Sequence, residues 1–103
     1  MNATDDNYVG IPTSVSEIAA LLVRSIAELH PGTVPEEVSA DIALLDGGLN
    51  LDSVALIELI TATETQFGFE LLQSDLRTRT FRSVRTLAEV VLLRLQQQRK
   101  EVR

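Results

Sequence analysis

Apolar residues, with Thr63 among them, return at intervals of three and four in three separate stretches: Val15, Ile18, Leu22, Ile26 and Leu29; Leu56, Leu59, Ile60, Thr63 and Phe67; Val84, Leu87, Ala88, Val91, Leu92 and Leu95. That spacing follows the 3.6-residue turn of an α-helix and lays each set along one face. No stretch alternates with period two, and no longer repeat is present. A chain of 103 residues holds one compact core and is too short for two, so the three stripes must close on one another. Of its residues 45% are apolar and only 4% aromatic, with no Trp, so the core is aliphatic. Ser74-Asp75-Leu76-Arg77 can cap one further short turn or helix. The expectation is all-α, a bundle of three longer helices and a short one.

Local signals mark where the helices begin and end. Ser14 with Glu17 three residues on is a capping box for the first helix, and His30-Pro31-Gly32 ends it, because the residue before a proline is driven out of the helical region. His30 is expected to interact with the last carbonyls of that helix, not to act as a catalytic base. The second helix runs from Ser53 to Phe67 and stops at Gly68, and Ser83 caps the last one. Between the first two helices lies a connection of about twenty residues, long for so small a domain. Pro35-Glu36-Glu37-Val38 suits one helical turn within it, and Val38, Ile42, Leu44, Leu45 and Leu49 are available to pack inward. Residues 1–12 lack periodicity and read as a flexible lead, 13–96 as the folded unit, and 97–103 as a charged tail. The lead and tail favour a free-standing protein.

Composition excludes several classes of function. Without Cys there is no disulfide framework, thiolate metal site or cysteine nucleophile, and one His cannot build a metal cluster. No apolar run approaches the roughly 18 residues of a membrane span, and Met1-Asn2-Ala3-Thr4-Asp5-Asp6 is too polar for a signal peptide, so a cytoplasmic monomer is expected. The net charge of −6 hides a division: 13 acidic residues against Arg24 alone up to Leu76, then 8 basic against 2 acidic from Arg77 onward. The acidic part repels nucleic-acid phosphate, and the basic end reads as a solvated last helix whose cations suit a helix C-terminus. Asp46, Asp52 and Glu58 have no acid–base partner in the sequence, which argues against an enzyme.

What remains is the seam between Gly47-Gly48 and the second helix. The glycine pair frees the backbone just before Asp52-Ser53, and both residues suit a helix start. Asp52 serves as the cap equally well, which leaves the Ser53 hydroxyl free. Ser53 has no sequence-adjacent base, so it suits modification by another enzyme better than nucleophilic catalysis. Val54 and Ile57 fall off the inward stripe, where the long loop either covers them or leaves them as a docking surface.

The order and spacing of Leu44-Leu45-Asp46, Asp52-Ser53-Val54, Phe67-Gly68-Phe69 and Phe81-Arg82-Ser83-Val84 resemble the acyl and peptidyl carrier proteins over residues 14–95. The resemblance implies a four-helix carrier bundle in which Ser53, flanked by Asp52, receives 4′-phosphopantetheine from coenzyme A. It also implies that the arm's thiol carries acyl or aminoacyl groups as thioesters. The partners it implies are a phosphopantetheinyl transferase, a loading ligase or acyltransferase, and downstream synthase enzymes of polyketide, nonribosomal peptide or related biosynthesis. They would meet the second helix at Val54, Ala55, Ile57, Glu58, Thr61 and Glu64. Ala55, Thr61 and Thr65 stand where fatty-acid carriers place more acid, so docking is expected to be more apolar and less steered by charge. A bulky Leu56 on the inward arc favours short, polar or aminoacyl cargo. The alternative is an unmodified helical interaction domain.

Overall fold

The computed structural model describes residues 14–35 and 38–102, the last four as backbone only. Three α-helices, α1 (Val15–Leu29), α2 (Ser53–Phe67) and α3 (Val84–Val102), account for the regular structure, with two 3-10 turns at Gln73–Asp75 and Thr78–Phe81. There is no strand among the described residues, only an isolated antiparallel bridge between Ala43 and Ser83. The expected short helix is therefore replaced by the 3-10 turns. The lead, residues 1–12, and the proposed turn over Glu36-Glu37 lie outside the described residues.

The helix ends follow the local signals. Ser14 Oγ accepts from the backbone N–H of Glu17 at 3.2 Å and donates to its carboxylate at 3.3 Å. Asp52 Oδ1 accepts from Ala55 N at 2.8 Å, and Gly68 closes α2 in the left-handed conformation, φ 77°. Ser83 and Thr86 cap each other, Thr86 N donating to Ser83 Oγ at 3.1 Å and Ser83 N to Thr86 Oγ1 at 2.9 Å. The boundary expected after residue 96 falls inside α3, and Gln98 Nε2 donates to the carbonyl of Gly68 at 3.1 Å.

Helix α1 packs against both α2 and α3. Ile18, Leu22, Ile26, Leu59, Leu87 and Val91 are almost wholly buried, and burial of each such side chain stabilises the fold by about 2 kcal/mol before conformational entropy is set against it. Leu44, Leu49 and Leu51 bring the long connection into the same core, whereas Leu45, also expected inside, stays 37% exposed. The stripe on α2 is inward at Leu59 and Thr63 and half-buried at Leu56, Ile60 and Phe67. Thr63 satisfies its hydroxyl by donating to Leu59 O at 2.7 Å.

The connection is held by backbone hydrogen bonds. Arg85 N donates to Ala40 O at 2.7 Å, Val84 N to Ile42 O at 3.2 Å, and Leu44 N to Arg82 O at 3.4 Å, so the first N–H groups of α3 are satisfied by the loop. Further on, Leu49 N donates to Ala43 O at 2.8 Å and Leu51 N to Leu44 O at 3.0 Å. The glycines are a steric requirement of this tight return, not a source of looseness. Gly47 has φ 85°, and a Cβ on Gly48 would overlap the carbonyl of Ala43.

The 73–81 segment is tied to α3 by one largely buried ion pair. Arg94 Nε and Nη2 donate to the two oxygens of Asp75 at 2.8 and 3.1 Å, and Leu72 N donates to the same carboxylate at 2.8 Å. Burial opposes the charge on Asp75, but the hydrogen bonds from Arg94 and Leu72 and the charges of Arg94 and Arg77 outweigh it, holding the carboxyl below its ordinary value. A carboxyl lowered in the folded state contributes stability above its unfolded value and loses it as pH falls.

Two outcomes follow. Arg94→Met leaves a buried carboxylate unpaired and should cost about 2–3 kcal/mol in urea unfolding at pH 7; the deficit should shrink as the pH is taken below the reference carboxyl value of 3.8. Gly48→Ala should cost about 2 kcal/mol or more, against about 1 kcal/mol for Gly47→Ala, because only the former drives a side chain into backbone.

Candidate functional site

The long connection delivers the chain to the start of α2 by a turn whose last residue is strained. Asn50 has φ 56°, uncommon outside glycine, and its side chain braces the conformation: Oδ1 accepts from Gly47 N at 3.2 Å and Nδ2 donates to Gly48 O at 3.3 Å. Its own N–H donates to Leu45 O at 2.9 Å. Sequence reasoning missed this brace, although Asn directly after Gly-Gly-Leu is the residue other than glycine that best tolerates the left-handed region.

Leu51 is then buried, Asp52 exposed and Ser53 exposed as the first residue of α2. Asp52 fills the cap with its side chain on Ala55 N and its carbonyl on Leu56 N at 2.9 Å. Ser53 Oγ makes no hydrogen bond among the described residues, nor do the backbone N–H groups of Ser53 and Val54. The first turn of a 15-residue helix thus presents two unsatisfied donors, the positive end of the helix dipole and an accessible hydroxyl together. A phosphate ester on that hydroxyl would meet compatible groups. The long loop leaves Val54 and Ile57 uncovered, 65% and 62% exposed.

The other α2 residues expected to meet partners are divided by the structure. Thr61 is exposed. Ala55, 5% exposed, belongs to the core and offers no contact surface; it shares the inward face with Leu59 and Thr63, four and eight residues on. Glu64 Oε2 accepts from Leu71 N at 2.9 Å, so it secures the turn after α2. Glu58 lies beside His30, with Nε2 and Oε1 2.9 Å apart, in ionic reach but off the alignment of a hydrogen bond. His30 therefore reaches across to α2 with its ring, and only its backbone N–H meets the last turn of α1, donating to Ile26 O at 2.8 Å. Among the described residues no three His, Cys, Asp or Glu side chains are grouped to hold a metal, and no helix is long and apolar enough to cross a membrane.

No protein-family model matches the chain, and no solved structure matches it significantly. Aminoacyl carrier protein 1 of Bradyrhizobium diazoefficiens (strain USDA 110) is 31% identical to it over 84 residues, which cover 82% of this chain and 89% of the relative. The alignment is too long to reflect one shared motif, and it accompanies an all-helical fold with an Asp-Ser helix start. On this likeness the chain belongs to the carrier-protein family.

Proposed function

We propose that this protein carries acyl or aminoacyl intermediates on a 4′-phosphopantetheine arm joined to Ser53 by a phosphodiester. The carrying observation is the division of labour at the head of α2: Asp52 takes the cap, so the Ser53 hydroxyl stays exposed and uncommitted. When bound, the group supplies a terminal thiol on a flexible arm, where cargo is held as a thioester. The chain's own part is to seat the phosphate against the N–H groups of Ser53 and Val54 and to hold the attachment point on a rigid turn braced by Asn50.

The relative's name, an aminoacyl carrier protein, supports an aminoacyl cargo. The half-buried Leu56, packed against the core, is consistent with this because it leaves little room for a long acyl chain beneath α2. The proposed partners are a phosphopantetheinyl transferase, a loading ligase and downstream enzymes of a specialised biosynthetic pathway in the cytoplasm. The proposed docking surface is Val54, Ile57 and Thr61, with Glu58 at its edge. Apolar contacts dominate it, so affinity should depend little on ionic strength.

Three measurements test this reading. Incubation with coenzyme A and a broad-specificity phosphopantetheinyl transferase should raise the intact mass by one phosphopantetheine, and Ser53→Ala should abolish the gain. No gain under conditions that modify a control carrier would leave the unmodified interaction domain as the better reading. Ser53→Ala should change unfolding free energy by less than about 0.5 kcal/mol, whereas Asp52→Ala should cost about 1 kcal/mol; a reversed order would put the cap on Ser53. Ile57→Glu should slow loading by the cognate ligase about tenfold or more, mainly through KM, a loss of about 1.4 kcal/mol in binding.

A further inference from the structure

The basic excess of the C-terminal part has a location. Arg85 is paired with Asp41 at 2.6 Å and Arg94 with Asp75, but Arg79 and Arg82 make no ion pair or side-chain hydrogen bond among the described residues. Both line a groove of about 350 Å³ between the Thr78–Phe81 turn and the first half of α3. Val90 and Leu93 form its apolar wall, and Leu93 is 51% exposed. Arg85, one turn before Glu89, is held chiefly by Asp41, so Glu89 stays in the lining as one negative charge against the two arginines. The groove therefore combines two uncommitted guanidinium groups with an apolar strip.

We propose that this groove is a second docking site, for an acidic segment of a partner protein that carries a carboxylate and a large aliphatic side chain about one helical turn apart. Charge complementarity is the ground. Arginine forks bind carboxylates through two parallel hydrogen bonds, and Val90 and Leu93, three residues apart on α3, give an aliphatic side chain a place to bury. A cationic segment is repelled by Arg79 and Arg82. The site differs in character from the apolar, uncharged patch at Val54 and Ile57, so one partner is able to hold the protein here while another engages the Ser53 end. Its position suits this. Arg82 O accepts from Leu44 N, so the groove adjoins the loop that leads to α2 without using α2 itself.

The site needs no modification of Ser53, so its failure and that of the carrier reading are separable. The full-length 15N-labelled protein and its Ser53→Ala variant are titrated with a helical peptide of alternating Glu and Leu pairs, and in parallel with the same peptide carrying Lys for Glu. The acidic peptide is expected to give saturable shifts at Thr80, Thr86, Val90 and Leu93, equal in the two proteins and weakened by salt, and the basic peptide none. Arg79→Gln with Arg82→Gln should weaken binding at least tenfold without moving the thermal midpoint, since both side chains are exposed. Leu93→Ala gives an independent check on the apolar wall. Shifts centred on Val54 and Ile57, equal binding of both peptides, or no effect of the double substitution would overturn the proposal.

Discussion

The structure depends on one joint, the docking of residues 40–44 onto the first turn of α3. A helix begins with N–H groups that have no intrahelical acceptor, and here Val84 and Arg85 donate to Ile42 and Ala40 of a loop that is otherwise long and irregular. The loop gains an ordered path and the helix gains its missing acceptors. Leu44, fully buried beside this joint, adds apolar anchorage. Everything downstream inherits its position: Ala43 and Leu44 accept from Leu49 and Leu51, and those residues deliver Asp52 and Ser53 to the head of α2. The surface pair between Asp41 and Arg85 sits at the same joint, but both side chains are well exposed and it adds little.

Helix positions were legible because the starts are marked by residues whose side chains compete locally with the backbone, Ser14, Asp52 and Ser83, and the end of α2 by Gly68, which takes the left-handed conformation without steric cost. The inward stripes were legible because period and burial are set by the same geometry. The loop was not, since its conformation rests on hydrogen bonds between residues some forty positions apart, Ala40 with Arg85 and Ile42 with Val84, and nothing in composition announces such a pairing. Leu45 shows the cost of reading a loop by hydropathy alone, because the turn that buries Leu44 and Leu49 aims their neighbour outward. The short helix expected near Ser74 became two 3-10 turns for a related reason. Asp75 bonds Leu72 N and Arg94, which closes a tight turn that is complete within three residues.

At the candidate site the division between Asp52 and Ser53 was readable, since two adjacent cap formers leave one hydroxyl spare. The contacts of α2 were less so. A helical wheel distinguishes inward from outward, but it does not tell which outward carboxylates are already engaged. Glu64 is held by the backbone of Leu71 seven residues on, and Glu58 lies within ionic reach of His30, the residue that ends α1. Ala55 was misplaced although the spacing shows its side: it lies four residues before Leu59 and eight before Thr63, on the one face of α2 that is buried.

Rigidity at the approach to Ser53 bears on how a carrier works. A long prosthetic arm contributes mobility of its own, so the protein gains nothing from a loose attachment point and loses entropy whenever a partner must order it. Gly47, Gly48 and Asn50, which composition alone reads as flexibility, instead build a turn that admits no side chain at Gly48 and tolerates φ 56° only because Asn50 braces itself. On the proposed reading the seat of the phosphodiester is fixed before any partner arrives. Partner recognition is then left to side chains whose exposure costs the fold little, Val54 and Ile57 on one helix and Arg79 and Arg82 beside another.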